Sequence, residues 1–425
     1  MTETVTEGQA ELLAIDAEYL WHPWSPSRVS PDTLVAVSGK GCEVTDADGR
    51  TYLDAKSSGF NATLGYACQP VVDAIATQVA KLMTYDMGEG ANIPAIRLAQ
   101  RIGELAGPAL TRTFFCNSGS EAMEAAIRIA RFYQAVLGSP ERGLVVSLHN
   151  GYHGATMAGA ATAGAPSPIA DELTPNGFVT IPGPEKGIGA LRDFLDGYGK
   201  RTAAVLVEPV QSRGAYVMPE EYLRGVRELC DEYGILLVLD EVTTGFGRTG
   251  LMFGHQHAGV QPDILATSKG LAAGYISLGA VTTTQHVFEV FDSNKKRAGF
   301  VHGHTHSGHA TACAAGLAVI DYIEKEHLLA NVQARGDQLL AALEPLRDLD
   351  RVTDIRGRGL MIAVEMDRSR RAAQMRKLMR DNGVLVRRTG RNVVLAPPLI
   401  LTAEEADRIS RELLAAAETA ATVEY

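Results

Sequence analysis

The sequence predicts an α/β protein in which helices cover both faces of a mostly parallel sheet. Between about residues 70 and 320, short apolar runs rich in β-branched residues alternate with stretches of helical periodicity, and this alternation is typical of such sheets. Residues 219–233 show the pattern in full, because an amphipathic helix there is ended by Gly234 and is followed at once by the apolar run 235–239. Folds of this kind bind ligands at the carboxyl ends of their strands.

The other elements follow in order along the chain. Residues 1–18 are predicted to be a loose polar leader, and Asp48-Gly49 predicts a hairpin in a small N-terminal sheet. After about residue 325, an amphipathic helix, two strand-like runs and a last helix from about Ala403 predict a second α+β unit that packs with the N-terminal sheet. The runs predicted as strands after the hairpin are residues 144–148, 203–207, 235–239, 264–267, 360–364 and 393–396.

Length and composition restrict the class of protein. The 425 residues suggest two or three domains of about 150 residues each, or one large domain with a smaller one. With 46% apolar and 21% charged residues, the chain is neither disordered nor collagen-like nor a disulfide scaffold. Its net charge is -10 and no basic segment is interleaved with aromatic residues, so nucleic acid is not an expected partner.

The sequence also predicts a cytoplasmic protein without a membrane partner. Its apolar runs, such as residues 235–239, are far shorter than the ~18 residues that span a bilayer. The N-terminal segment is acidic where a secretion signal would be basic and then apolar. The cysteines are odd in number and form no Cys-x-x-Cys pair, so we expect reduced thiols that serve in packing. These residues are Cys42, Cys68, Cys116, Cys230 and Cys313.

The start of a predicted helix at about residues 122–136 is a candidate anion site. Ser118 and Glu121 have the spacing of a capping box directly before it. Gly119 allows backbone N–H groups to approach a ligand closely, and the N-terminus of a helix attracts anions. An ordinary capped helix is the alternative.

Two consecutive acids, Asp240 and Glu241, follow the predicted strand at residues 235–239. A carboxylate at that position lies where α/β proteins bind ligands and is able to hold a cationic ring nitrogen; a solvated acid pair is the alternative. Residues 245–250 match the Gly-x-Gly-x-x-Gly pattern of nicotinamide-binding turns. We discount that function, because five residues separate the strand from the first glycine and no helix begins at the glycines.

Lys269 follows the predicted strand at residues 264–267 and precedes a loop rich in Gly and Ala. A partly buried lysine amine is nucleophilic and forms Schiff bases with carbonyl compounds. A solvated surface charge is the alternative, because lysines are mostly exposed.

Two polar segments complete the candidates. Residues 302–309 contain four histidines, but no acid or cysteine ligand lies close by, and the interleaved Gly, Thr and Ser suit an anion better than a metal. We therefore expect no metal site. Arg387, Arg388 and Arg391 precede a proline turn, where one of them could bind a substrate carboxylate bidentately. Surface charge is the alternative for the arginines.

Taken in order, these motifs resemble the class III family of pyridoxal-phosphate aminotransferases. The resemblance runs from Trp21-His22-Pro23-Trp24 to Pro397-Pro398-Leu399, nearly the whole chain. Its most specific parts are Asp240-Glu241-Val242, Gly245-Phe246-Gly247-Arg248-Thr249-Gly250 and Ser268-Lys269-Gly270.

The family implies the type I fold of pyridoxal-phosphate transferases, with a mostly parallel sheet of the seven-stranded type in a large domain and a small α+β domain made from both chain ends. By this division, residues 1–18 are the leader and residues 65–325 form the large cofactor-binding domain. Residues 19–64 and 326–425 form the two parts of the small domain.

The resemblance implies a role for each motif residue. Lys269 is implied to bind pyridoxal 5'-phosphate as a Schiff base and then to move a proton, while Asp240 keeps the ring nitrogen protonated with support from His153. Thr305 is implied to complete the site of a partner subunit, which makes a homodimer the active unit. The remaining cofactor contacts are implied to be Ser118, Gly119 and Ser120 at the phosphate and Tyr152 and Val242 on the two ring faces.

The implied activity transfers an amino group between a primary amine or an ω-amino compound and a 2-oxo acid, with ping-pong kinetics. Its partners are therefore a small-molecule amine donor and an oxo acceptor. Trp24, Phe60 and Tyr152 are implied to line the substrate side, and Arg387 to bind a carboxylate, with Arg391 as second choice.

Three departures from the family pattern leave the substrate open. Arg213 stands where ornithine- and 4-aminobutyrate-type members have a glutamate that pairs with the arginine, so Arg213 is a third candidate for the carboxylate. Diaminopelargonate synthases have an acid at the position of Ala155 and a tyrosine at that of Trp24. A diaminopelargonate-type aminotransferase is therefore an alternative function, as is an aminomutase or decarboxylase of the same family.

Overall fold

Strands and helices alternate through most of the chain. The computed structural model describes residues 9–24, 33–163, 175–293 and 299–423. The strands are β1 (Ala36–Lys40), β2 (Glu43–Asp46), β3 (Thr51–Asp54), β4 (Leu110–Cys116), β5 (Leu144–Leu148), β6 (Phe178–Ile181), β7 (Thr202–Val207), β8 (Val210–Gln211), β9 (Tyr216–Val217), β10 (Leu236–Asp240), β11 (Ile264–Thr267), β12 (Gly279–Thr284), β13 (Val352–Arg358), β14 (Met361–Met366), β15 (Val384–Leu385), β16 (Arg387–Thr389) and β17 (Asn392–Leu395).

The helices are α1 (Gln9–Tyr19), α2 (Gln69–Lys81), α3 (Ile93–Ala106), α4 (Gly119–Val136), α5 (Met157–Ala161), α6 (Gly189–Tyr198), α7 (Glu220–Tyr233), α8 (Gln285–Asp292), α9 (Ala310–Lys325), α10 (Leu328–Leu343), α11 (Ser369–Asp381) and α12 (Ala403–Thr422). Short 3₁₀ turns lie at Pro184–Lys186, Gly199–Arg201, Gly254–His257, Lys269–Leu271 and Glu344–Asp348. Ser57–Phe60 forms a single helical turn whose backbone is left-handed.

The central sheet has seven strands in the order β4-β12-β11-β10-β7-β5-β6. Only the pairings that involve β12 are antiparallel, so the mostly parallel sheet predicted from the sequence is confirmed. Successive residues of β10 belong to different cores, with Leu237 and Leu239 in one cluster and Leu236 and Val238 in another. The sheet is therefore buried on both faces, as its unbroken apolar strands predict.

The carboxyl ends of several strands meet at one edge of this sheet. Gly279, the first residue of the antiparallel strand β12, pairs with Cys116 at the end of β4. Ala280 pairs with Thr267 at the end of β11, whose neighbour Ala266 pairs with Asp240. The residues that follow β4, β10 and β11 therefore lie at the same edge of the sheet, although these strands are far apart in sequence.

The helix predicted at residues 219–233 is α7, and its ends have clear physical causes. Pro219 is the N-cap residue, with an extended backbone conformation directly before the first helical residue. Gly234 ends it with φ 63°, a left-handed conformation that glycine adopts without a Cβ penalty. The chain then enters β10 directly.

Both ends of the chain contribute to the smaller sheets. The predicted hairpin at residues 48–49 joins β2 and β3, and β15 from near the other end of the chain extends their sheet by parallel pairing with β3. The strands β13, β14, β17 and β16 form another sheet, and β8 pairs with β9. The strands predicted at residues 360–364 and 393–396 are β14 and β17.

The leader differs from its prediction. Residues 9–19 form helix α1 and are not a loose segment, because its Ala, Leu and Glu residues favour helix. The helix buries none of its side chains, which explains the absence of a sequence signal for packing. Residues 1–8 lie outside the described part of the chain.

Three further properties apply to the described residues. All five cysteines are free and buried, as predicted for packing residues. Within the described ranges, no helix has the length and apolar character needed to cross a membrane. No group of three or more His, Cys, Asp or Glu side chains is arranged to hold a metal ion among them.

Candidate active site

The carboxyl edge of the central sheet gathers the residues on which the sequence prediction depends. Asp240 is the last residue of β10, Lys269 begins the turn after β11, and Ser118 begins helix α4 directly after β4. β10 and β11 are neighbours, and β12 lies between β11 and β4, so the three segments lie along the same edge of the sheet. The edge therefore combines an acid, an amine and a helix N-terminus.

Asp240 is held by two donors from different segments. It is 4% exposed, and its Oδ2 lies 2.9 Å from His153 Nδ1 while its Oδ1 accepts a hydrogen bond of 3.0 Å from the backbone N–H of Val242. His153 is itself buried. These contacts fix the orientation of the carboxylate and leave part of its acceptor capacity free.

Lys269 has a strained backbone and an amine with altered acidity. Its φ is 28°, in a region that residues with a Cβ rarely adopt and that is typical of functional sites. Burial of Nζ lowers the pKa of Lys269 to about 8, although the nearby Asp240 opposes the shift. Nζ donates a hydrogen bond of 2.7 Å to Thr243 Oγ1. The sequence prediction missed Thr243, whose only signal is its place after the strand-end acids.

The anion site at the start of α4 is built partly as predicted. Ser118 caps the helix, because its Oγ accepts a hydrogen bond of 3.2 Å from the backbone N–H of Glu121. The second half of the predicted capping box is wrong: the Glu121 carboxylate accepts from the backbone and side-chain nitrogens of Asn117, at 2.7 and 2.9 Å. Glu121 reaches this earlier residue because Asn117 offers it two donors.

Gly119 is required by its close neighbours. A Cβ at this position would lie 2.7 Å from Val242 Cγ1, a distance that side chains do not tolerate. Gly119 and Val242, predicted as cofactor contacts from separate motifs, are therefore in direct contact. The next residue, Ser120, accepts a hydrogen bond of 3.1 Å from the backbone N–H of Ala155 and so ties the helix start to the Tyr152–His153 loop.

Glu208 is a buried acid that the sequence prediction missed. Its Oε2 accepts a hydrogen bond of 2.9 Å from the backbone N–H of Tyr152, and its Oε1 accepts one of 2.9 Å from Ser212. Burial raises the pKa of Glu208, an effect that His153 opposes and Asp240 reinforces. The signal was present in the sequence, because Glu208 follows β7 just as Asp240 ends β10.

The predicted substrate residues lie around Tyr152. Trp24 is 78% exposed and its ring lies 5.9 Å from that of Tyr152 in an edge-to-face arrangement, so it is not a core residue. The Arg213 guanidinium lies 5.4 Å from the centre of the Tyr152 ring. Phe60 is buried, and its ring lies 5.2 Å from the Arg387 guanidinium and 5.7 Å from Lys269 Nζ.

The candidate arginines differ in their partners. Arg391 forms an ion pair with Glu365, and Arg388 donates a hydrogen bond of 3.0 Å to Ser369 Oγ. In the described ranges, neither Arg387 nor Arg213 forms an ion pair. Burial lowers the pKa of Arg387, Tyr152 raises it and Arg213 lowers it, so these three side chains are close enough to interact.

Thr305 follows His304, whose Nδ1 lies 3.7 Å from Glu121 Oε2 in the first turn of α4. It is exposed and lines a cavity of about 620 Å³ together with residues 84–88, 113–115 and the other members of 302–308. Lys269, Asp240 and Tyr152 do not line this cavity. His302 stacks on Phe114 with ring centres 5.7 Å apart.

Comparison with known proteins identifies the family. The family model for class III aminotransferases matches residues 25–416. The chain belongs to the class III aminotransferases. The adenosylmethionine-8-amino-7-oxononanoate aminotransferase of Anoxybacillus flavithermus is 35% identical over 419 residues, with 91% of this chain and 92% of that protein covered.

Two further proteins show the breadth of the relatives of this class III aminotransferase. The acetylornithine aminotransferase of Methanocaldococcus jannaschii is 36% identical, with 94% of this chain and 96% of that protein covered. The pyridoxal-phosphate-bound structure of an amine transaminase from an uncultivated Pseudomonas species superimposes with a TM-score of 0.90 at 35% identity and covers 95% of this chain and 99% of that one. The predicted family, aminotransferase activity and type I fold are confirmed.

Pyridoxal phosphate is the cofactor of class III aminotransferases, and the residues at the sheet edge fit it. An amine with a lowered pKa, a buried carboxylate and a helix N-terminus at which a Cβ would collide with Val242 lie together. These groups match the aldehyde, the ring nitrogen and the phosphate of the cofactor. The substrates of the enzyme are small-molecule amines and oxo acids.

Proposed function

We propose that this class III aminotransferase moves an amino group between a primary amine or an ω-amino compound and a 2-oxo acid. The observation that best supports this is the position of Arg387 and Arg213, which have no ion-pair partner in the described part of the chain and lie against Phe60 and Tyr152. A guanidinium binds a carboxylate bidentately. Aromatic rings beside it accept an apolar amine, so one pocket is suited to two unlike substrates.

Two side chains perform the acid–base work in this proposal. When bound, pyridoxal phosphate supplies an electron sink for the electrons of the C–H bond that breaks beside the substrate nitrogen. Lys269 Nζ is the atom that attaches the cofactor and, once an amine substrate has released it, takes the proton from that carbon. Asp240 binds the cationic ring nitrogen, and His153 keeps the carboxylate oriented through their contact of 2.9 Å.

The phosphate end is proposed to lie against the start of α4, with contacts from Ser118, Gly119 and Ser120. Tyr152 and Val242 are proposed to cover the two ring faces. Thr305 is exposed and lines a cavity that Lys269, Asp240 and Tyr152 do not line, and we propose that it contacts the phosphate of a second copy in a homodimer. Thr305→Ala is then expected to weaken cofactor binding in titrations without changing the monomer fold.

Absorbance spectra of the half-reaction test the proposal. The holoenzyme is mixed with L-glutamate, L-alanine or a terminal diamine, one at a time and without an acceptor. Loss of the yellow cofactor band with at least one donor supports the proposed transfer and identifies half of the reaction. The control is Lys269→Ala, for which we expect an intact fold and no donor-dependent turnover.

Arginine variants test the carboxylate clamp. Arg387→Ala should raise the half-saturating concentration of carboxylate-bearing donors by roughly tenfold to a hundredfold, as for loss of a bidentate ion pair, and leave carboxylate-free amines nearly unaffected. Arg391→Ala is the matched control, because its guanidinium is paired with Glu365. Equal effects of Arg387→Ala on both donor types would exclude the clamp.

A diaminopelargonate-type activity is the second candidate, because a 35% identical relative has the name of that enzyme. Against it, the position of the expected acid is Ala155, which offers only a methyl group beside Ser120. Bleaching of the cofactor band by S-adenosylmethionine and not by other donors would favour this candidate. Release of carbon dioxide, or isomerisation without an acceptor, would instead identify a decarboxylase or an aminomutase.

A further inference from the structure

The segment that bears Phe60 has an unusual backbone. Ser57, Ser58, Gly59 and Phe60 have φ values of 46°, 48°, 78° and 69°, so four consecutive residues are left-handed. Three of them have a Cβ, which makes this conformation unfavourable. Such a turn persists only where its surroundings fix it.

Asp54 is the main residue that fixes this turn. Its buried carboxylate accepts hydrogen bonds of 2.7 Å from the backbone N–H of Ser58 and 2.6 Å from the Tyr66 hydroxyl. The backbone N–H of Lys56 donates a third, of 3.2 Å. At the other side of the turn, Ser57 Oγ donates a hydrogen bond of 2.6 Å to the carbonyl of Ala396.

The turn determines where the Phe60 ring lies. The ring is 2% exposed and lies 5.2 Å from the guanidinium of Arg387 and 5.7 Å from Lys269 Nζ. A cation over an aromatic face is attracted by the ring quadrupole. A change in the turn would therefore move the surface against which the Arg387 guanidinium rests.

We propose that Asp54 and Tyr66 are positioning residues that set the preference of the enzyme for carboxylate-bearing substrates, because they hold the left-handed turn that places Phe60 against Arg387. The inference rests on the proposed function, in which Arg387 binds the substrate carboxylate. Without the Tyr66 hydroxyl, Asp54 loses a short hydrogen bond to its charge. The turn then relaxes toward common backbone conformations, and Arg387 loses its aromatic support.

The same sheet contains a matched control. The Tyr52 hydroxyl donates a hydrogen bond of 2.9 Å to Asp46, another buried acid. Asp46 also accepts backbone hydrogen bonds of 3.1 and 2.8 Å from Asp48 and Arg50 and so holds the tip of the β2–β3 hairpin. Tyr52→Phe and Tyr66→Phe thus make the same chemical change at two acid-held turns, of which only one bears Phe60.

The test compares two donors that differ in one group. L-alanine and isopropylamine share a carbon skeleton, with a carboxylate in the first where the second has a methyl. Half-reactions of each holoenzyme are followed without an acceptor. Tyr66→Phe should raise the half-saturating concentration of L-alanine about tenfold and leave that of isopropylamine within about twofold. Tyr52→Phe should change neither value, and urea unfolding of both variants measures the stability that each hydroxyl contributes.

Two glycines provide a second matched pair in case Tyr66→Phe does not fold. Gly59 and Gly49 have nearly equal φ values of 78° and 79°, so alanine imposes similar backbone strain at both. A Cβ at Gly59 would meet only Arg387 Nη1, at an ordinary contact of 3.7 Å, and one at Gly49 would meet nothing within 4 Å. Gly59→Ala should reproduce the selective effect on L-alanine, and Gly49→Ala should not.

Failure of this inference is distinguishable from failure of the proposed function. The positioning role would be overturned if the turn variants changed the half-saturating concentrations of both donors equally, or if neither Tyr66→Phe nor Gly59→Ala had any effect. Arg387→Ala is measured in parallel. If Arg387→Ala raises the half-saturating concentration of L-alanine but not that of isopropylamine, and the turn variants do not, only the positioning role is excluded. If Arg387→Ala affects both donors equally, the carboxylate clamp and the positioning role are both excluded.

Discussion

Asp240 and Glu241 are consecutive acids at the end of one strand, and each lies beside a buried histidine. Asp240 Oδ2 lies 2.9 Å from His153 Nδ1, and Glu241 Oε1 lies 2.7 Å from His255 Nδ1. The two environments nevertheless differ. Asp240 faces the Lys269 site, whereas Glu241 is fully buried and accepts further hydrogen bonds of 2.9, 2.5 and 2.9 Å from Thr244, Gly254 and the His255 backbone.

The difference lies in unused hydrogen-bonding capacity. Protein donors occupy Glu241 completely, so its charge has no capacity left for a ligand. Burial opposes ionisation of Glu241, but the hydrogen bonds from His255 and Gly254 outweigh burial and lower the pKa of the carboxyl group. Asp240 keeps free capacity toward the site. Of these two adjacent acids, one is therefore suited to binding a ligand and the other to stabilising the fold, because successive side chains of a strand point in opposite directions.

Asp240→Asn should have the largest effect in this comparison. A neutral partner no longer favours a protonated ring nitrogen, so we expect the half-reaction rate to fall roughly 10³-fold. Asparagine has nearly the same shape and retains an oxygen for His153, so the free energy of unfolding should change by less than about 1 kcal/mol. Stopped-flow absorbance and urea unfolding measure the two quantities. Normal turnover of the variant would exclude the proposed role of Asp240 at the ring nitrogen.

The second prediction concerns the pKa of the Lys269 amine, which lies in the same site as Asp240. Because its lowered pKa is about 8, half of the amine should be neutral near that pH, and its reactivity should rise through it. Reductive methylation of the cofactor-free protein across pH, with peptide mass spectrometry, measures this. The control is the urea-unfolded chain, in which the midpoint should move to about 10.4. The same midpoint in both states would contradict the effect of burial.

Glu241→Gln should affect stability and not chemistry. The amide NH₂ would face donors, and His255 would lose its charged partner, so we expect the free energy of unfolding to fall by about 3 kcal/mol. The half-reaction rate per folded molecule should stay within about threefold of the wild-type value. Urea unfolding and active-site titration by cofactor absorbance separate the two effects. Loss of activity at unchanged stability would break the comparison.

The pH dependence of the Glu241–His255 pair is the smallest expected effect. The pKa of His255 is raised above its ordinary 6.5, because the Glu241 hydrogen bond outweighs burial, so its stabilising effect is complete below 6.5 and is lost as pH rises through the raised value. The pKa of Glu241 is lowered from 4.5, so its contribution is present above 4.5 and is lost as pH falls. The stability difference between wild type and Glu241→Gln should therefore be larger near about pH 5.5 than near about pH 9. A flat difference across this range would exclude the linkage.

The sequence predicts the sheet and its strand-end residues well, because these follow from local patterns. Apolar runs determine the strands, and parallel pairing brings Asp240 and Lys269 to one edge without further information. The sequence also predicts a close backbone approach at Gly119, although the neighbour that requires glycine there, Val242, is evident only from the structure.

Contacts between distant segments could not be predicted. The positions of Glu208 and Thr243 after strands are visible in the sequence, but no local pattern shows that their partners are Tyr152 and Lys269. The sequence also makes Arg391 a candidate for the carboxylate, but in the structure it pairs with Glu365, 26 residues away. The left-handed turn at residues 57–60 also has no sequence signature, because distant and neighbouring hydrogen bonds impose it against local preference.

The sheet shared by the two chain ends has a consequence for biosynthesis. β3 lacks its neighbour β15 until the ribosome has made residues 384–385, and the Ser57 hydroxyl must wait for its acceptor, the Ala396 carbonyl, which follows 339 residues later. The central sheet can begin to form during translation, whereas the turn under Arg387 can be completed only when the chain is nearly finished. A nascent enzyme released too early would contain Asp240 and Lys269 but lack the completed turn that we propose positions Phe60 against Arg387.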